Sequence, residues 1–314
     1  MTAQERLGSG CKTVSLQREI LSGLGLAAFG LASLCLGLRL ASAQPASPPE
    51  LRNPNVLVDY YEPRSAELVP LYQKLKQRQM LERLGEFLAP VRWPKTLRLI
   101  LKQCPAAGMP PPLRAVVFYS QLEYSLTICY EWLKFLGQFH PPDSYATRQE
   151  VIVGGLVGIV LHEAGRAVFD MFGVPRLGSE EDAADQLASF VGLQFGKDVS
   201  RILVKGTYYV WDTYDYDIRV QNNQQFNFAD RASVAPQRAY NLLCIAYGGD
   251  PATFQELVDK GLLDRVMPAG RASDCPDEYQ QVAQAFDSTI KPHVDAALMS
   301  KVLTMTWLLP DDLQ

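Results

Sequence analysis

The clearest chemical signal in the chain is Leu161-His162-Glu163-Ala164-Gly165-Arg166. In a His-Glu-x-x-His helix, two imidazoles one turn apart grip Zn²⁺ while the Glu between them polarises the attacking water. His162 and Glu163 fill the first two positions, and Arg166 stands where the second imidazole belongs. A guanidinium keeps its proton at physiological pH and has no lone pair to donate, so Arg166 cannot act as a ligand. A fixed positive charge about 4 Å from Zn²⁺ costs about 8 kcal/mol at an effective dielectric near 20. That is a large part of the roughly 10–16 kcal/mol a structural zinc site supplies. The pattern predicts a metal-type helix whose zinc chemistry is disabled.

A second constellation, Glu181-Asp182-Ala183-Ala184-Asp185, follows after one short connection. Residues four apart share a helix face, and zinc sites of the Glu-ligand type use such a pair as third ligand and supporting carboxylate. Acidic residues in a first helical turn also serve the helix dipole, which is the plainer reading. Proximity to His162-Glu163 favours Glu181 as ligand and Asp185 as its supporting partner. Only His140 and His293 remain, both beside prolines at element ends, and neither is placed to replace the missing ligand. Two readings of Arg166 stay open. Its guanidinium either neutralises inward-facing Glu163 and Glu181 in place of a metal, or turns outward to Asp170, four residues along the helix.

These residues need elements to hold them. Thr147 to Phe172 reads as one long, mostly apolar and therefore buried helix, stopped by Gly173-Val174-Pro175. Ser179 caps a second helix, whose first turn is acidic and which continues through Asp185, Phe190 and Phe195. Upstream, Val56 to Tyr61 is strand-like and Glu67 to Leu88 has leucines at helical spacing. Leu97 to Leu101, Ala115 to Tyr119 and Ser125 to Ile128 read as further strands, the last two as neighbours. Cys129 opens a helix ending near Phe139. Gly206 to Asp217 is crowded with Tyr208, Tyr209, Trp211, Tyr214 and Tyr216, which either pack or line a cleft. Gln221 to Gln225 reads as a polar loop. Helices are expected over Gln237 to Tyr247, Ala252 to Lys260, Asp277 to Lys291 and the last twenty or so residues.

The fold class this predicts is α+β: a small mixed or antiparallel sheet packed on a mainly helical body, with the metal-site-type helix buried at the junction. The 314 residues, 47% apolar and 20% charged, suffice for a sizeable core. A net charge of −4 without a basic block excludes a nucleic-acid partner. Residues 1–43 read as a signal peptide: Arg6, Lys12 and Arg18 precede the uncharged run Ile20 to Leu38, and Ala41-Ser42-Ala43 offers a cleavage site. The run is also long enough for an uncleaved N-terminal anchor, the one route to a membrane. Residues 44–55 read as a flexible leader and 56–314 as a single domain. Export, to a periplasm or outside the cell, fits the four remaining cysteines. Cys104 with Cys129 and Cys244 with Cys275 is the favoured pairing, each closing a moderate loop within one half of the chain, and four buried thiols is the alternative.

The chain resembles a family of exported bacterial metallopeptidase-like proteins, zincin-like and catalogued as a domain of unknown function. The resemblance runs from about Val56 to His293. It rests on Ile128-Cys129-Tyr130-Glu131, His162-Glu163-Ala164-Gly165, Gly178-Ser179-Glu180-Glu181-Asp182-Ala183-Ala184-Asp185-Gln186, Phe228-Ala229-Asp230, Gln237-Arg238-Ala239-Tyr240-Asn241-Leu242-Leu243-Cys244 and Cys275-Pro276-Asp277-Glu278-Tyr279. It implies zinc ligands at His162 and Glu181, a general base at Glu163 and a second-shell carboxylate at Asp185. The family pattern departs from this chain at Arg166 and at Arg231-Ala232, where it has Glu-His. The expected function is therefore a non-hydrolytic relative that needs no cofactor and binds a peptide or protein. The alternatives are an active zinc peptidase with an incomplete or rescued site, which would need zinc, and an envelope scaffold.

Overall fold

The computed structural model describes residues 51–104, 117–142, 145–216, 228–229, 231–261 and 266–304, without the side chains of 214–216. By internal contacts the chain divides into Met1–Ser42 and Ala43–Gln314, and every described residue belongs to the second unit. The expected signal segment and most of the leader lie outside the described residues, as do the Gln221 to Gln225 loop and the chain after Thr304.

The architecture is α+β. Strands β1 (Val56–Tyr60), β2 (Leu97–Lys102), β3 (Val117–Ser120) and β4 (Ser125–Cys129) form one mixed sheet in the order β1-β2-β4-β3. β1, β2 and β4 run parallel, whereas β3 pairs antiparallel with β4, Val117 opposite Ile128 and Ser120 opposite Ser125. A parallel β1–β2 pair needs a crossover connection. The helices α1 (Val69–Gln77) and α2 (Met80–Leu88) supply it.

Sequence spacing suggested one helix here, and the structure breaks it at Gln79, which takes a left-handed φ of 52°. The break has a physical cause. The Tyr60 hydroxyl at the end of β1 accepts the Leu81 N–H at 2.8 Å and donates to Glu82 at 2.6 Å, so α2 starts where the sheet holds it. Leu81, Leu84 and Leu88 then reach the core, while α1 buries no residue fully.

After α3 (Tyr130–Leu136) the helical body begins with α4 (Arg148–Met171), opened by a capping box in which Thr147 and Glu150 satisfy each other's backbone N–H groups. Among the described residues α4 is the one helix long and apolar enough to cross a membrane, but most of it is buried inside the protein. α5 (Glu180–Leu193) starts at Ser179, whose side chain accepts the Asp182 N–H. α6 (Lys197–Tyr216) crosses α4 at glycines: a Cβ on Gly154 would run into the Ile202 carbonyl, and one on Gly206 into the Gly155 backbone.

The aromatic run from Gly206 is thus part of a helix. Tyr208 is buried and Tyr209 meets Phe139 and Tyr145 ring to ring, so most of the cluster packs. α7 (Ala235–Gly249), the short α8 (Pro251–Phe254) and α9 (Glu256–Asp259), α10 (Ala269–Thr289) and α11 (Ala296–Val302) complete the body. α10 begins well before Asp277 and contains Pro276. Both favoured disulfides are present, Cys104–Cys129 joining the ends of β2 and β4 and Cys244–Cys275 joining α7 to α10.

Candidate functional site

α4 and α5 pack side by side and bring together the five residues singled out by spacing. His162 and Glu163 are buried on α4, and Asp185 is buried one turn inside α5. His162 is held at both ring nitrogens: Nδ1 lies 2.7 Å from Asp185 Oδ1, and Nε2 lies 3.2 Å from Glu181 Oε2. Burial works against charge on this imidazole, yet the hydrogen bonds to Asp185 and Glu181 outweigh it and push its pKa up to about 9. With both nitrogens facing carboxylates, the ring is a donor on each side, which is the imidazolium form.

The carboxylates respond in kind. The hydrogen bond from His162 holds Glu181 below the ordinary range against the effect of burial, and Arg166 adds to it. Burial alone would lift Asp185, but the Arg238 guanidinium and His162 hold it down. Glu163 goes the other way: burial raises it in spite of His162 and Arg166.

Arg166 turns inward. Its NH1 donates to Glu163 Oε2 at 3.0 Å, its Nε donates to Glu180 Oε1 at 3.0 Å, and its NH2 lies 3.6 Å from Glu181 Oε1. The outward alternative is taken by another residue, since Asp170 accepts the Tyr119 hydroxyl at 2.7 Å. Glu163 Oε2 also accepts the Tyr119 backbone N–H at 2.8 Å, so the edge strand β3 is fastened to the centre of α4.

Four participants were not assigned from sequence. Arg238 on α7 donates from Nε to Asp185 Oδ2 at 2.5 Å and from NH2 to Oδ1 at 2.8 Å, while its guanidinium lies 3.7 Å from the centre of the Trp211 ring. Behind this pair is a cavity of about 20 Å³, the size of one water, bordered by Asp185, Ser189, Thr207 and Arg238. Trp211 is the second of the four, and Tyr119 and Glu180 complete the set. Arg238 sat inside a motif that matched the family, and an arginine in a helical first turn without an acidic neighbour was the available signal.

The segment at 231–233 covers the start of α5. Ser179 Oγ donates to the Arg231 carbonyl at 2.6 Å, and Ser233 donates from N and Oγ to Asp182 at 3.1 and 2.8 Å. Arg231, at one of the family departures, is mostly exposed and lies 3.5 Å from Glu181. His140 is an exposed loop residue, and His293 stacks on Phe172 with centroids 4.2 Å apart, so neither approaches the cluster.

Among the described residues, the group that brings three metal-capable side chains within reach of one ion is Cys104, Cys129 and Glu131, away from this cluster, and its cysteines form a disulfide. No curated protein and no solved structure matches the chain. One family model does, described as "Putative metallopeptidase" and covering residues 60–290, most of the chain including every residue of the cluster. The chain therefore belongs to that metallopeptidase-type family.

Proposed function

We propose that this member of the family is an exported, non-hydrolytic relative that binds a peptide or protein at the face of the α4–α5 cluster. The observation that carries the reading is the inward guanidinium of Arg166, within 3.0 Å of Glu163 and Glu180 and 3.6 Å from Glu181. The residues present do not fit zinc. His162 Nε2 and Glu181 are two donors of a set that needs three, and the third position holds a cation without a lone pair.

Arg166 also ties up one side of Glu163: Oε2 accepts from Arg166 and from Tyr119 N–H, which leaves Oε1, 3.8 Å from His162 Nε2, as the oxygen facing the imidazole. Support for binding comes from Leu177 and Phe228, both strongly exposed, on the two segments that Ser179 and Arg231 tie together beside the cluster. Exposed large apolar side chains around a fixed polar centre are the makings of a contact surface.

Elemental analysis of the purified protein beside Arg166→His tests the reading. The expected result is no stoichiometric zinc in the unaltered protein and close to one zinc per chain in the variant. One tightly bound zinc in the unaltered protein, with a chelator-sensitive peptide cleavage lost in Glu163→Gln, would replace this function with hydrolysis.

A further inference from the structure

We infer that Glu163, Glu180 and Glu181 form a preorganised three-carboxylate cage for a guanidinium, and that Arg166 is the resident cation of that cage. This goes beyond loss of a ligand, and it rests on the non-hydrolytic reading above.

Each of the three guanidinium nitrogens faces a different carboxylate, NH1 toward Glu163, Nε toward Glu180 and NH2 toward Glu181. That three-way planar fit is available to a guanidinium and not to an ammonium. Glu180 belongs to the cage although the zinc pattern gives it no role.

The cage is held by groups other than Arg166. Glu163 is fixed by the Tyr119 N–H at 2.8 Å, Glu180 Oε2 by Arg176 NH2 at 3.0 Å, and Glu181 by His162 Nε2 at 3.2 Å and Arg231 at 3.5 Å. Removal of the Arg166 side chain leaves a hole of guanidinium shape whose walls stay in place. The Arg166 side chain is only 18% exposed, so its loss leaves three carboxylates without the cation they share and poorly screened by solvent.

The experiment is thermal unfolding of full-length Arg166→Ala with and without methylguanidinium chloride in the tens of millimolar range, against sodium chloride of equal ionic strength. The expected result is a midpoint several degrees below that of the unaltered protein, at least half recovered by methylguanidinium and much less by methylammonium, with no response of the unaltered protein. A midpoint equal to that of the unaltered protein, or no recovery beyond the sodium chloride control, would overturn the cage.

Arg166→Lys serves as the second variant, because it keeps a positive charge without the three-way fit. Its midpoint should fall between those of Arg and Ala, and equality of Lys with Ala would count against the assignment. Zinc reads the other question separately: stabilisation of the unaltered protein by zinc chloride would count against the non-hydrolytic reading and leave the methylguanidinium result standing.

Discussion

At the scale of single residues, the cluster pairs buried charges with one another, which makes its stability depend on pH. The His162 pKa is raised from 6.5 to about 9, so the stabilisation from its charged form is fully present below about pH 6.5 and lost as pH rises through 9. Glu181 and Asp185 are lowered, so their contribution is present above their ordinary values and lost as pH falls through the depressed ones. Urea unfolding midpoints should fall between pH 6.5 and 9.5 by the equivalent of about 3 kcal/mol. A flat profile over that window would remove the imidazolium from the description.

Arg238→Ala should cost about 3–5 kcal/mol, because it strands the buried Asp185 carboxylate. A loss under about 1 kcal/mol in the same urea assay would mean that Asp185 finds other partners. Local spacing singled out His162, Glu163, Arg166, Glu181 and Asp185, and the structure brings them together. Arg238 and Tyr119 were not legible in the sequence, since they act across 53 and 44 residues of chain on Asp185 and Glu163, and no local pattern encodes such a pairing.

At the scale of elements, caps and apolar runs carried the reading furthest. Thr147 and Ser179 mark the starts of α4 and α5 in the sequence as in the structure, because their side chains accept orphan backbone N–H groups. The break at Gln79 was hidden, since it depends on the Tyr60 hydroxyl of a distant strand. α10 starts at Ala269, ahead of the expected Asp277, although an interior proline removes a helical hydrogen bond. In the structure the helix passes through Pro276, with Cys275 tied to Cys244 on α7.

The α4–α6 crossing is a close approach of two backbones, which Gly154, Gly155 and Gly206 permit. Gly154→Ala should destabilise by about 3 kcal/mol, because the new methyl meets the Ile202 carbonyl rather than a movable side chain. Gly270→Ala, where nothing lies near the added carbon, is the control and should be neutral or stabilising. Equal unfolding midpoints for the two variants would mean that the helices separate without cost.

At the scale of the whole molecule, the α+β class and the two disulfides followed from element order and cysteine count, while the packing of α7 and α10 around the cluster did not. The disulfides span 25 and 31 residues of chain, and each should contribute about 3.5 kcal/mol by constraining the unfolded chain. Paired serine variants compared by urea unfolding would measure this, and a loss below about 1 kcal/mol for either pair would make that link dispensable. The pinned crossing of α4 on α6 has a wider consequence. The glycine contacts that set this crossing lie at Gly154, Gly155, Gly158 and Gly206, away from position 166, so a change of side chain at 166 leaves the crossing in place. Two of the six arginine codons lie one nucleotide from a histidine codon. Within the proposed reading, passage between a protein that clasps its own cation and one that recruits a metal is a matter of a single codon, with no refolding in between.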